Sequence, residues 1–476
     1  MPDTPLKPVT DSTIATPAAT ALPQSLEQCH ELIHVLVQNL AALQDQVAAL
    51  QERATLNSKN SSKPPSSDGP SVRKGRVYKS SGRKRGAQKG HTGTYRELLD
   101  PEQVDGLIDC RPPAQCACGG ALQIAGQPYR HQVVDMAPSA KSLVHEYRLY
   151  TGVCQHCRKS QRAPLPAGVP SGQIGPRALA LVGELGTRYQ LTQQKTRDLL
   201  AELTGVDFSV GAVSQAQGKV AQALGAPVAA AKATLVQATV LHMDESSYPR
   251  EGQLNWVWAA VQPKLVLYSI LPSRARYVLH DLIGTNPKAL VVSDRYSAYA
   301  HLPPRQRQVC WAHLIRDFTR IAQRDGIAGR IGRRLLAYAY LLFRWRERGK
   351  VGKQWWPLRK RLLKALRQGA TQGACRQTAN TCANLLKLWP ALWNFARRQG
   401  VEPTNNSAEQ ALRSLVLKRK ISGPTRSLRG DQFLARGFSV YETCLRQGRN
   451  LFDYLHCAVM AWIDNSTPPS LVPQPI

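Results

Sequence analysis

From Leu26 to Leu50, apolar residues recur at alternating spacings of three and four. Leu26, Ile33, Leu40 and Val47 share one heptad position, and Cys29, Leu36, Leu43 and Leu50 share the position three further on. That period admits a helix and excludes a strand, whose faces alternate every second residue. Four unbroken heptads predict a coiled coil over residues 25–56. Ile or Val at two of the first positions and Leu at most of the second favour a parallel dimer, so a homodimer or higher oligomer is expected. A single amphipathic helix packed on its own chain is the alternative. Residues 1–24, rich in Thr, Pro and Ala, are expected to be disordered.

The next stretch cannot build a core. Residues 57–95 open with the polar run NSKNSSKPPSSD and continue into Arg73, Lys74, Arg76, Lys79, Arg83, Lys84, Arg85 and Lys89, with no acid between Ser71 and His91. A flexible linker and a basic arm on phosphates are expected, with Arg73, Lys74, Arg76, Arg83, Lys84 and Arg85 as DNA-binding candidates. The whole chain points the same way: 63 Lys and Arg face 32 Asp and Glu, a net charge of +31 in 476 residues. Such an excess repels itself unless a polyanion neutralises it. Hydrophobic residues at 43% exclude a wholly disordered basic protein. No apolar run is long enough to span a membrane and no signal-peptide order opens the chain, so no membrane association is expected. Eleven cysteines, an odd number, suit a reducing compartment, and a cytoplasmic, nucleoid-associated location is expected.

Five of those cysteines cluster in residues 96–165. Cys116 and Cys118 precede Gly119-Gly120, and Cys154 and Cys157 close the segment, with short strands expected over 132–135 and 143–151. Four thiolates hold one structural Zn²⁺ tetrahedrally, and the spacing predicts a zinc-ribbon-like domain on Cys116, Cys118, Cys154 and Cys157. The first pair is CxC rather than CxxC, so Cys110 or a histidine is an alternative ligand. Residues 172–225 read as helices, with a glycine turn at Gly205 and a helix opened by Ser209, a helix-turn-helix-like DNA-binding region or an ordinary helical hairpin.

Beyond Ala238 the pattern changes to strands. Thr239–Asp244 and Leu290–Asp294 are apolar runs that each end in an aspartate, and Asn255–Val261 with Leu265–Leu271 form a hairpin across Gln-Pro-Lys. Asn406-Ser-Ala-Glu409 opens a later helix, with Asn or Ser as the cap and the acid in the first turn. Strand ends present side chains to the crevice above a sheet. Asp244, Asp294 and Glu409 converging there would hold two Mg²⁺ or Mn²⁺ ions for phosphodiester displacement. Glu402, in a proline-containing loop, is the rival for the third acid.

The chain resembles the DDE transposases of the insertion sequence 66 type. The resemblance rests on NSKNSSKPPSSD at 57–68, GAQKGHTG at 86–93, HMDES at 242–246, VVSDRYSAYA at 291–300, CWAHLIRDF at 310–318, NNSAEQALR at 405–413 and LKRKISGP at 417–424. It implies a multidomain protein with an α/β ribonuclease-H-like catalytic core, its first part at 236–312 and its second at 401–465. Between them it implies a helical insertion at 313–400, and the 114 residues separating Asp294 from Glu409 leave room for it. Asp244, Asp294 and Glu409 match the metal triad. Glu245 adjoins the first acid, but strand alternation turns it away. His313 would meet a phosphate or order the metal shell, with packing beside Trp311 as the alternative. Arg413, one turn after Glu409, and Lys418, Arg419 and Lys420 would clamp the scissile phosphate or an element end. The resemblance also implies accessory proteins of the same element. The expected activity is metal-dependent cleavage and strand transfer at element ends, with target DNA as second substrate. A catalytically inactive DNA-binding repressor and a metal nuclease without joining activity are the competing readings. Residues 466–476 are a proline-rich tail.

The basic arm yields a measurable expectation. Each neutralised phosphate contributes about −0.9 to the slope of log K against log salt. Deleting residues 71–89 should lower that slope by several units and weaken specific and random duplexes alike, as read by anisotropy titrations.

Overall fold

The computed structural model describes residues 25–61, 143–153, 160–166, 168–170, 172–205, 207–285, 287–371 and 375–473, with isolated positions including Lys63, Asp68, 100–104, Arg130 and Cys157. Two compact units divide the chain: 1–74 with 168–190 and 216–476, and 75–167 with 191–215. Among the described residues no helix is long and apolar enough to cross a membrane.

Helix α1 spans Leu26–Ala54, capped by the Ser25 hydroxyl, which accepts from the Gln28 N–H. Seven of the eight heptad residues are open to solvent, Ile33, Leu36, Leu40, Leu43 and Val47 among them, and Cys29 is half-buried. At its last turn Glu52 takes Arg324 through both carboxylate oxygens at 2.9 Å and Arg320 at 3.1 Å. One end of the helix is therefore anchored to the larger unit while its apolar seam is uncovered.

In the smaller unit, β1 (Thr151–Val153) pairs antiparallel with β2 (Ser160–Arg162), and Cys157 is exposed in the intervening turn. Of the expected strand over 143–151, only Thr151 belongs to a strand, although the Tyr150 carbonyl already accepts from the Ala163 N–H at 2.9 Å; Leu143 and Val144 are 87% and 80% exposed. Cys110, Cys116, Cys118 and Cys154 lie outside the described residues, as do the expected strand at 132–135 and the basic arm.

Helix α2 (Pro176–Thr187) belongs to the larger unit, α3 (Gln193–Thr204) to the smaller, and α4 (Val210–Ala223) begins in the smaller and ends in the larger. Gly205 terminates α3 at φ +68°, a left-handed position that glycine adopts without strain, and the Ser209 hydroxyl caps α4. Helix α5 (Gly225–Ala233) follows.

The larger unit is built on a mixed sheet. Strands β3 (Val240–Ser247), β4 (Trp256–Gln262) and β5 (Leu265–Leu271) form an antiparallel meander, α6 (Arg276–Ile283) crosses over, and β6 (Leu290–Ser293) and β7 (Arg307–Val309) add in parallel on the other side of β3. The order β5-β4-β3-β6-β7 is compatible with a ribonuclease-H-like core. Helices α7 (Trp311–Ala322), α8 (Gly326–Glu347), α9 (Trp356–Thr371) and α10 (Arg376–Lys387) lie between β7 and α11 (Asn406–Ser422), and α12 (Leu428–Gln447) and α13 (Leu451–Ile463) follow. Trp311, Trp355, Trp393 and Phe318 share one apolar cluster with Leu290 and Val292 of β6, so these helices and the sheet are packed together. Glycine makes the α7–α8 approach possible: a Cβ on Gly332 would fall 2.3 Å from the Ala322 nitrogen.

Both sheet edges are closed by side chains. On the β5 edge, the Thr443 hydroxyl of α12 accepts from the Val266 N–H and donates to the Val266 carbonyl, both at 3.0 Å, and Ser439 accepts from the Tyr268 N–H at 2.8 Å. On the β7 edge, the Asn394 amide donates to the Arg307 carbonyl at 2.7 Å, and the Gln308 side chain accepts from the Phe395 N–H. Exposed ladder groups invite another strand, and these contacts remove them. Replacing Thr443 by Val keeps the shape and leaves both Val266 groups without a hydroxyl partner. Thermal or denaturant unfolding should then show a loss of about 1–3 kcal/mol.

Candidate active site

Asp244 is the fifth residue of β3, inside the strand rather than at its end. The parallel pairing of β3 with β6 stops at His242 opposite Val292, whereas pairing with β4 continues to Ser247 opposite Trp256. Past His242 the sheet is open on the β6 side, and Asp244 stands at that opening. Asp294 follows directly on β6. Each aspartate is oriented by backbone: Asp244 Oδ1 accepts from the Glu245 N–H at 3.0 Å, and Asp294 Oδ1 from the Tyr296 N–H at 2.9 Å. The Asp294 carbonyl accepts from the buried Arg307 guanidinium at 2.6 Å.

Glu409 is in the first turn of α11. Its Oε1 is 3.5 Å from His313 Nδ1 on α7, its Oε2 is 3.8 Å from Arg316 Nη2, and Arg316 Nη1 is 3.3 Å from His313 Nε2. Glu409 Oε1 and His313 Nδ1 are buried atoms without a hydrogen-bond partner.

The three acids act on one another. Burial, followed by the charges of Glu245, Asp294 and Glu409, holds the Asp244 carboxyl well above the usual carboxylate range. Alternation does put Glu245 on the opposite face, but it is not outside the site. The Tyr299 hydroxyl donates to it at 2.9 Å, and Trp258, paired opposite Glu245, packs edge-on against that tyrosine. Burial and the Asp294 charge push Glu245 up to about 7. A cation would offset the negative charges of Glu245, Asp294 and Glu409 that bear on Asp244, and Glu409 Oε1, without a hydrogen-bond partner among the described residues, is an available donor atom. The hard oxygen set fits a divalent ion of the Mg²⁺ class.

Cys310, His313 and Glu409 offer ligand atoms within 4.8 Å of one another. Cys310 caps α7 instead: burial pushes its thiol up to about 11, and its sulphur accepts from the Asn405 N–H at 3.1 Å. A neutral thiol is a poor ligand for a hard cation.

Asn405 is the residue that sequence reading missed. It is fully buried and takes the position before α11 that Asn406 or Ser407 was expected to fill. Its side chain is not spent on the cap. Nδ2 donates to the Met243 carbonyl at 2.7 Å, Oδ1 lies 3.3 Å from His242 Nδ1, and its own carbonyl accepts from the Ala408 and Glu409 N–H groups. Burial lowers the His242 pKa, which disfavours the charged ring. The one hint in the sequence was a second asparagine ahead of the helix. Arg316, three residues after His313, was readable from helical spacing.

The remaining candidates are scattered. Arg413 is exposed one turn beyond Glu409. Lys418 is buried, donates to the Gln190 carbonyl at 3.2 Å, and is pushed down to about 8 by that burial. The Arg419 guanidinium is bonded to the Ser247 carbonyl and hydroxyl at the end of β3. Of the run 418–420, Lys420 is the exposed member. Glu402 is exposed and paired with Arg346 at 2.8 Å.

The Transposase IS66 family matches residues 171–432, more than half of the chain and all of the triad. The chain belongs to the IS66 transposase family. Membership implies a transposase function, with action on DNA and use of a divalent metal. Residues 14–97 match a second family, one of unknown function (DUF6444). An uncharacterized protein of Sinorhizobium fredii, y4hP, is 23% identical over 380 residues, covering 70% of this chain and 68% of that one.

The contacts of the Asn405 side chain can be tested by substitution. Asn405→Leu would strand the Met243 carbonyl and the His242 ring, and each lost partner costs about 1–3 kcal/mol. The variant should unfold earlier, and Asn405→Asp should recover less than half of the loss because its carboxylate cannot donate to a carbonyl.

Proposed function

We propose that this IS66-family protein is the DDE transposase of a mobile DNA element, cutting at the element ends and joining the freed 3′-hydroxyl to target DNA. The reading is supported by the family match, which spans all three acids, and by their placement on β3, after β6 and in the first turn of α11, where the charges of Asp294 and Glu409 bear on Asp244.

In this reading the three carboxylates hold two divalent ions. When bound, they would activate the attacking oxygen and stabilise the leaving one. The backbone N–H groups of Glu245 and Tyr296 fix the two aspartates. Asn405 sets the first turn of α11 against β3, which aims Glu409. His313 and Arg316 stand beside Glu409 on α7, and the Arg316 guanidinium offers positive charge toward the phosphate that approaches it. Arg413, exposed on the same side of α11, would take a neighbouring phosphate.

Other regions extend the reading. The uncovered heptad seam of α1 supports pairing with a second copy, so that two cores serve two element ends. Residues 57–95 and the α3–α4 hairpin would add DNA contacts, Cys116, Cys118, Cys154 and Cys157 would hold one Zn²⁺, and accessory proteins of the same element would act with it.

Replacing Asp244, Asp294 or Glu409 by Ala should abolish Mg²⁺-dependent nicking and strand transfer by at least a hundredfold and leave duplex binding intact. Gel assays on labelled element ends read both. Normal cleavage by Glu409→Ala would remove it from the triad, and binding without cleavage by the parent chain would favour the repressor.

A further inference from the structure

Just over half of the net charge sits in one piece of the chain. Residues 326–400 hold 17 Lys and Arg and one acid, Glu347, against +31 for the whole. Fourteen of those cations are exposed, whereas the apolar residues of the same helices fill the core around Trp355 and Leu362. The segment is thus a folded body with a surface of one sign.

The cations are ordered. On α9, Trp356, Lys360, Lys364 and Arg367 are all exposed at spacings of four, four and three, which places them on one helix face. Tyr340 and Arg344 on α8 are exposed one turn apart. Arg334 of α8 donates to Gln368 of α9 at 2.7 Å and holds the two helices together. Lys360 and Lys364 are like charges one turn apart with no acid on α9, an arrangement that destabilises a helix by a few tenths of a kcal/mol. From Lys360 to Arg367 the helix rises about 10 Å. Successive phosphates on one DNA strand rise about 3.4 Å each, so the row spans about three of them. Trp356 and Tyr340, 64% and 52% exposed, add flat aromatic faces beside the charge.

We infer that the α8–α9 face of the insertion is a second DNA-binding surface, engaging the phosphate backbone of duplex DNA without reading its sequence. It rests on the transposase reading for the choice of DNA over another polyanion. It lies outside the triad and outside the basic arm, and supplies affinity for target or flanking duplex.

The test uses full-length protein in EDTA, a labelled random-sequence duplex, and the triple variant Lys360→Glu, Lys364→Glu, Arg367→Glu. Removing three phosphate contacts lowers the salt exponent by about 2.7. Between about 50 and 200 mM salt, the parent should therefore lose roughly 40-fold more affinity than the variant. The alanine triple removes the same three contacts and should show the same change of slope, with affinity reduced less than by the charge-reversed glutamates, and its unchanged melting temperature would exclude misfolding. An unchanged affinity and slope in both variants overturns the inference. So does loss of binding to an acidic polypeptide with duplex binding intact, which would make the partner a protein. Mg²⁺-dependent nicking at low salt, measured in parallel, separates the two readings: its absence in the parent sinks the transposase reading and leaves the binding result standing.

Discussion

One buried asparagine joins three elements that are far apart in the chain. Asn405 gives its amide hydrogens to the backbone of β3 beside Asp244, its N–H to the Cys310 sulphur at the start of α7, and its carbonyl to the first turn of α11. Every group that surrounds Glu409 depends on that junction. His313 and Arg316 arrive on α7, and Asp244 on β3. The polar atoms of Asn405 have no water to turn to, so moving any one element would leave a buried donor or acceptor unmatched. The carboxylates repel, and the scaffold holds them together through neutral hydrogen bonds that do not depend on their charge.

A run of ion pairs extends outward from the same place. Arg295, next to Asp294, pairs with Asp317 at 2.5 Å; Asp317 also takes Arg320, and Arg320 reaches Glu52 at the end of α1. Nearby, the Asn60 amide donates to Gln323 at 2.8 Å. The heptad helix thus ends on α7, the helix that carries His313. Partly buried Arg–carboxylate pairs of this kind fix geometry more than they add stability.

The positive charge has a division of labour. Arg307, the first residue of β7, is buried and Lys418 is buried beside Gln190, so neither faces solvent. The outer faces of α8 and α9 carry theirs into solvent. Burial costs a cation its hydration, and Arg307 offsets that cost with the Asp294 and Tyr299 carbonyls.

Much was legible in residue order alone. The heptad gave a helix over Leu26–Ala54, apolar runs gave β3, β4, β5 and β6, and Glu409 lies in the first turn of its helix as its capping pattern implied. These follow from local periodicity and from caps a few residues long, which a sequence carries explicitly. Tertiary structure decided the rest. Lys418 and Arg419 read as a surface run, yet one is buried and the other is tied to Ser247, because a helix rotates successive residues by about 100° and packing chooses the face. Glu245 reads as turned away, yet it meets Asp294 through the protein, where burial lets charge act at a distance. The position of Asp244 depends on where β6 stops pairing with β3, and the aim of Glu409 depends on Asn405 reaching a strand 162 residues earlier. Such contacts are set by three-dimensional closure, and no spacing along the chain encodes them.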